Sequence, residues 1–112
     1  MPFIDCKITK KLTEEEKEAI KSKLGKAVSV LKKPESYLMV GINDGYSLYF
    51  AGKKLDTGAY VEVSVFGTLS PADCERMTAE ICGILGGISV PADKIYVTYH
   101  GVKDWGWNGS NF

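Results

Sequence analysis

Two helical stretches of this chain start and stop in the same way. "LTEEEKEAIKSKLGKAVSVLKKP" opens with the capping box Thr13/Glu16, and "SPADCERMTAEICGILGGISVP" opens with Ser70 as N-cap and Pro71 at the first helical position. Each is closed by a proline, Pro34 or Pro91, 21 positions after its cap residue. Alternating segments flank both. Phe3–Ile8 sets Ile4, Cys6 and Ile8 against Phe3, Asp5 and Lys7, and "AYVEVSVFG" sets Val61, Val63 and Val65 against Tyr60, Glu62, Ser64 and Phe66. "YLMVGIN" and "KIYVTYHG" supply a strand after each helix. This pattern predicts two tandem β-α-β units, residues 1–57 and 58–112, in a single domain spanning 1–112. Right-handed crossovers make the strands parallel within each unit. The fold class is therefore α+β: a four-stranded mixed sheet with both helices on one face.

The helices supply apolar stripes for that face. In the first, Ile20, Leu24, Ala27, Val28 and Leu31 align, with Lys32 and Lys33 in the last turn. In the second, Cys74, Met77, Ile81, Ile84 and Leu85 align, and Gly83, Gly86 and Gly87 read as C-cap residues. Asn43-Asp44-Gly45 signals a hairpin turn into "YSLYF". Two helices cover only one sheet face. The other carries Phe3, Asp5, Lys7, Tyr60, Glu62 and Ser64, a mixed surface that points to self-association.

Composition excludes several function classes. Fourteen basic and fourteen acidic residues cancel, and no basic stripe appears, so nucleic acid is not an expected partner. The run Glu14–Glu18 is a solvated helix start. The first ten residues contain Asp5, Lys7 and Lys10, so they form no apolar signal core. No stretch approaches 18 apolar residues, so no membrane span is expected. Cys6, Cys74 and Cys82 lack metal-site spacing. On one helix Cys74 and Cys82 lie about 12 Å apart, beyond disulfide reach. The expectation is three reduced thiols, a cytosolic protein with an idle Asn108-Gly109-Ser110 sequon, and neither metal nor cofactor. The single histidine, His100, reads as structural rather than as part of a triad.

One chemical group stands out. Excision of Met1, which favours a small second residue, would turn Pro2 into a secondary amine. Partial burial and a nearby cation favour a neutral amine, which serves as a general base at neutral pH. Lys33 is the cation expected beside it. The plainer readings are a harmless proline at a strand start and a lysine that complements a helix end.

The chain resembles the macrophage migration inhibitory factor family of phenylpyruvate tautomerases. The likeness rests on the Met-Pro start, Lys33-Pro34 followed by Tyr37, "YFAG" at 49–52, Gly67 after the central strand, "IYVTY" at 95–99 and the tail "WGWNGSNF". It implies a homotrimer with short extra strands at the subunit interfaces and active sites between neighbours. Pro2 would be the catalytic base for a small aromatic α-keto acid. Lys33 and the Phe66 backbone N–H would hold the substrate carboxylate, with Ser64 near this cradle. Trp105, Trp107, Phe112 and Tyr96, the last from the adjacent subunit, would wall the pocket. Thr98 stands where mammalian members often carry asparagine, so it reaches less far. Trp105 replaces a small aliphatic residue, and Phe66 replaces isoleucine. Gly58-Ala59-Tyr60-Val61 stands where some members have Cys-x-x-Cys, so the oxidoreductase activity proposed for those members is not expected.

Alternatives accompany this reading. Trp107 and Phe112 could instead staple the tail to a neighbouring subunit, and Tyr37 and Tyr96 could be core aromatics. The whole protein could be a cytokine-like signal exported without a signal peptide to bind a host receptor. It could also be a superfamily enzyme acting on a different unsaturated acid.

Overall fold

The computed structural model describes residues 1–112. Its main sheet contains β1 (Pro2–Ile8), β2 (Met39–Asn43), β5 (Ala59–Phe66) and β6 (Ile95–Val102), in the order β2-β1-β5-β6. β1 pairs with β2 in parallel and β5 with β6 in parallel, while the central β1–β5 pair is antiparallel. This is the α+β architecture expected from the two β-α-β units. The helices α1 (Glu14–Ala27) and α2 (Pro71–Gly86) pack on one face. Two hairpins lie outside the sheet: β3 (Tyr49–Phe50) with β4 (Lys53–Lys54), and β7 (Gly106–Trp107) with β8 (Ser110–Asn111).

Strand alternation sets the core. Ile4, Cys6, Ile8, Val61, Val63 and Val65 are fully buried and meet Ile20, Leu24, Met77, Ile81 and Leu85 from the helices. Burial pushes the Cys6 thiol up to about 12, so it stays protonated at neutral pH. Cys74 and Cys82 are half-buried, and all three cysteines are free. The opposite sheet face carries charge. The Lys7 amine sits 2.7 Å from Asp5 and 3.0 Å from Glu62, which holds its proton more tightly than usual.

Three local expectations are corrected. The first helix does not run on to Pro34. It ends at Ala27, and Val28–Leu31 form a tighter 3-10 turn, where the β-branched Val28 and Val30 disfavour continued α-helix. Lys32 then adopts a left-handed conformation (φ 61°), so Lys32 and Lys33 lie beyond the helix rather than in its last turn. Asn43-Asp44-Gly45 does not make a hairpin either. Its backbone docks on the end of β1, with Gly45 N–H donating to the Lys10 carbonyl and Tyr46 N–H to that of Ile8. The Asp44 carboxylate accepts from Leu12 N–H at 2.8 Å. The hairpin forms instead at Ala51-Gly52, both at positive φ. Finally, Gly83 and Gly86 lie inside α2. Only Gly87 caps it, and the left-handed residue beyond is Ser89.

The repeat extends to its punctuation. Thr13 and Ser70 cap α1 and α2 with their side chains, and Pro34 and Pro91 each open a short 3-10 turn leading into β2 and β6.

Candidate active site

The start of β1 is the centre of the site. Pro2 is the first residue of a central strand, the one place there where a missing N–H breaks no ladder. Its ring is fully buried, and it pairs with Val65. The ladder runs one rung further: Phe66 N–H donates to the Met1 carbonyl at 3.0 Å.

Lys33 reaches the same rung. The left-handed turn at Lys32 redirects the chain, and the Lys33 amine donates to the Phe66 carbonyl at 3.2 Å. The α-amine of Met1, present while that residue is retained, is held below its ordinary value, first by burial and then by the Lys33 charge.

The Phe66 backbone is fixed from its other side. Gly67 has φ +95° and donates its N–H to the Val102 carbonyl at 2.9 Å. Gly101 lets that strand approach: a Cβ there would stand 2.5 Å from the Gly67 carbonyl oxygen. Replacing Gly101 by alanine is therefore expected to cost about 1–3 kcal/mol and to move the Phe66 amide. Denaturant unfolding together with the Phe66 amide resonance checks this.

A cleft of about 500 Å³ opens at this point, with Pro2, Tyr37, Met39, Asp104, Trp105 and Trp107 in its wall. The rings form a chain. Tyr37 meets Trp107 edge-on at 5.9 Å, Trp107 stacks on Phe112 at 6.3 Å, and Phe112 packs on Phe66 at 5.4 Å. An apolar cleft with a few convergent polar groups suits a small organic ligand.

The structure brings Pro2, Lys33, Phe66, Trp105 and Trp107 together at one end of the sheet. Phe112 stands behind Trp107 and outside the cleft wall. Ser64 lies opposite Phe3 on the sheet face away from the helices. Tyr96 and Thr98 lie elsewhere in the same chain. Tyr96 is level with Tyr60 and Lys7, five residues along β1 from Pro2 or roughly 17 Å, and packs edge-on against Phe50. Thr98 is level with Glu62 and Asp5 and bonds the Tyr60 hydroxyl at 2.9 Å.

Sequence reasoning gave no site role to Met39 or Asp104. Met39 had a readable signal: with Leu38, Val40 and Ile42 packed on the core, the strand's alternation turns Met39 outward, where it is 68% exposed. Asp104 carried no comparable signal, since a charged residue before a tryptophan reads as a loop.

The chain is similar over its length to known proteins. The family model described as macrophage migration inhibitory factor (MIF) matches residues 1–112. The solved structure of Leishmania major MIF2 superimposes with a TM-score of 0.93 at 31% identity, covering 100% of this chain and 97% of that one. The homologue from Prochlorococcus marinus gives 0.87 at 28% identity, with 98% of each chain covered. A macrophage migration inhibitory factor homolog of Trichuris trichiura is 28% identical over 85 residues, 74% of this chain and 75% of its own length.

Proposed function

Because the chain belongs to the macrophage migration inhibitory factor family, we propose that it is a phenylpyruvate-type keto–enol tautomerase whose base is the free nitrogen of Pro2. The observation that carries this reading is that Pro2 lines an aromatic cleft while the next rung of its strand, Met1 to Phe66, is also the one that the Lys33 amine reaches.

Each residue has a physical task. Lys33 and the Phe66 N–H hold the substrate carboxylate, which fixes the α-carbon chain relative to the base. The Pro2 nitrogen takes a proton from carbon or oxygen and returns it to the other atom. Trp105, Trp107 and Tyr37 sandwich the aryl group and exclude water, which keeps the amine neutral. Tyr96 and Thr98 reach the site from a neighbouring subunit of a homotrimer. The 64% exposure of Tyr96 and the half-buried outer sheet face support that assembly. Light scattering should then give three times the 12.3 kDa chain mass.

The assay is phenylpyruvate ketonisation on protein whose mass shows Met1 removed. Absence of turnover in such a trimer sinks the reading.

The pH dependence has a definite sign. The neutral amine is the active form. Burial of the Pro2 ring and the Lys33 charge close by both disfavour a protonated nitrogen there, so activity is expected to persist below the ordinary α-amine range and to fall as the amine takes up its proton at lower pH. Lys33→Met removes one of these two causes and one carboxylate contact. The acid limb of the kcat/KM profile should move to higher pH. The KM should rise about 10–100-fold, in line with a lost hydrogen bond to a charged group. A profile that stays in place with an unchanged KM would remove Lys33 from the site.

No helix is long and apolar enough to cross a membrane.

A further inference from the structure

We propose that an acylated Pro2 fills its own anion seat: the Met1 carbonyl oxygen occupies the position that a ligand carboxylate takes once the Pro2 nitrogen is free. This goes one step beyond the proposed function and rests on it only for the class of ligand.

The geometry is that of a sheet ladder running out. β1 and β5 are antiparallel, with Pro2 opposite Val65, so the next rung pairs residue 1 with Phe66. That rung is made: Phe66 N–H donates to the Met1 carbonyl at 3.0 Å. On its other flank β5 faces β6, where the neighbouring Gly67 N–H is already taken by the Val102 carbonyl. The Phe66 N–H therefore points toward the β1 side, and Met1 is its partner there. The Lys33 amine donates to the Phe66 carbonyl at 3.2 Å.

The acceptor's position matters as much as its identity. A peptide oxygen lies on the carbon bonded to the next nitrogen, roughly 2.3 Å from it by standard bond lengths. Whatever acyl group Pro2 carries thus places an oxygen between the Pro2 nitrogen and the N–H of Phe66, the residue whose own carbonyl the Lys33 amine holds. Hydrolysis of the Met1–Pro2 amide consumes one water, releases methionine and leaves a proton on the Pro2 nitrogen. The same cut does two things. It converts a non-basic amide nitrogen into an amine, and it strips the acceptor from the Phe66 N–H. An unpaired backbone donor beside a cation then awaits an anionic oxygen, and a carboxylate there is within hydrogen-bond reach of the new amine.

The two consequences are separable. Protein carrying Met1 is made with methionine aminopeptidase inhibited, and half is then trimmed in vitro. A trimmed Pro2→Ala variant is prepared alongside. The probe is 3-phenylpropanoate, which has no keto group and cannot turn over. Without ligand, trimming should speed hydrogen exchange of the Phe66 amide at least about tenfold, since the bond that protects it is gone. The probe should shift the Phe66 amide resonance in both trimmed proteins. It should bind the Met1-bearing chain at least about tenfold more weakly, as a lost charge-assisted hydrogen bond requires. Equal exchange before and after trimming overturns the inference. So does probe affinity that agrees within about threefold between the two forms, or binding by neither. A trimmed chain that binds the probe at Phe66 but does not ketonise phenylpyruvate supports the seat and refutes the tautomerase reading.

Discussion

Replacing Pro2 by alanine lowers kcat/KM for phenylpyruvate ketonisation by about 10²–10⁴-fold, the usual loss when a positioned general base is removed. Alanine still permits excision of Met1, so the variant keeps an N-terminal amine. What it loses is position. The pyrrolidine ring ties the nitrogen to the side chain, which fixes the direction of its lone pair, and seats it by burying its own carbons at the head of β1. A primary amine on alanine rotates freely and loses the alignment on which proximity depends. The Pro2 ring ends the sheet rather than bracing its middle, so the variant should fold and associate like the parent. Stopped assays on both proteins, with masses that show each chain begins at residue 2, decide the matter. A rate within about threefold of the parent would take the base role from Pro2.

The second large effect is on stability. Ile4→Ala should cost about 2–5 kcal/mol. Ile4 is fully buried on a central strand, opposite Val40 on one side and Val63 on the other. Because paired strands hold its surroundings, the space it vacates cannot close by moving one side chain. That cost is a large share of the roughly 5–15 kcal/mol that holds a domain together. Urea unfolding at fixed protein concentration checks it, the midpoint falling with little change in slope. A loss below about 1 kcal/mol would mean that the core does not centre on β1 and β5.

The sequence made the frame readable because its signals are local and mutually consistent. Thr13 and Ser70 are polar residues before apolar stripes, and Pro34 and Pro91 are breakers after them. The alternation of Ile4, Cys6 and Ile8 against Phe3, Asp5 and Lys7 has one interpretation on a sheet covered on one side. What could not be read depends on contacts distant in sequence. Lys32 takes a left-handed backbone that local propensity gives to glycine, and that turn carries Lys33 to Phe66. Asn43-Asp44-Gly45 has hairpin chemistry, yet Asp44 is engaged by Leu12 and Gly45 by Lys10, so the chain leaving β2 is held against the end of β1 instead. Pro2 and Lys33 were legible as partners from the chemistry of a free N-terminal amine, and Trp107 and the Phe66 N–H through motif resemblance. The backbone route that joins Lys33 to Phe66 was not, because it runs through the left-handed Lys32 and ends on the rung between Met1 and Phe66.

The hairpin Gly106–Asn111 has strands of two residues, all exposed, and is tied down by Phe112 N–H on the Trp105 carbonyl and by stacked rings. So short a ribbon has little cooperativity of its own. The cleft thus has a rigid floor, built into the main sheet, and a compliant roof. Selectivity should divide the same way: exacting about the acid group at the floor, and permissive about the bulk and substitution of the ring beneath the roof.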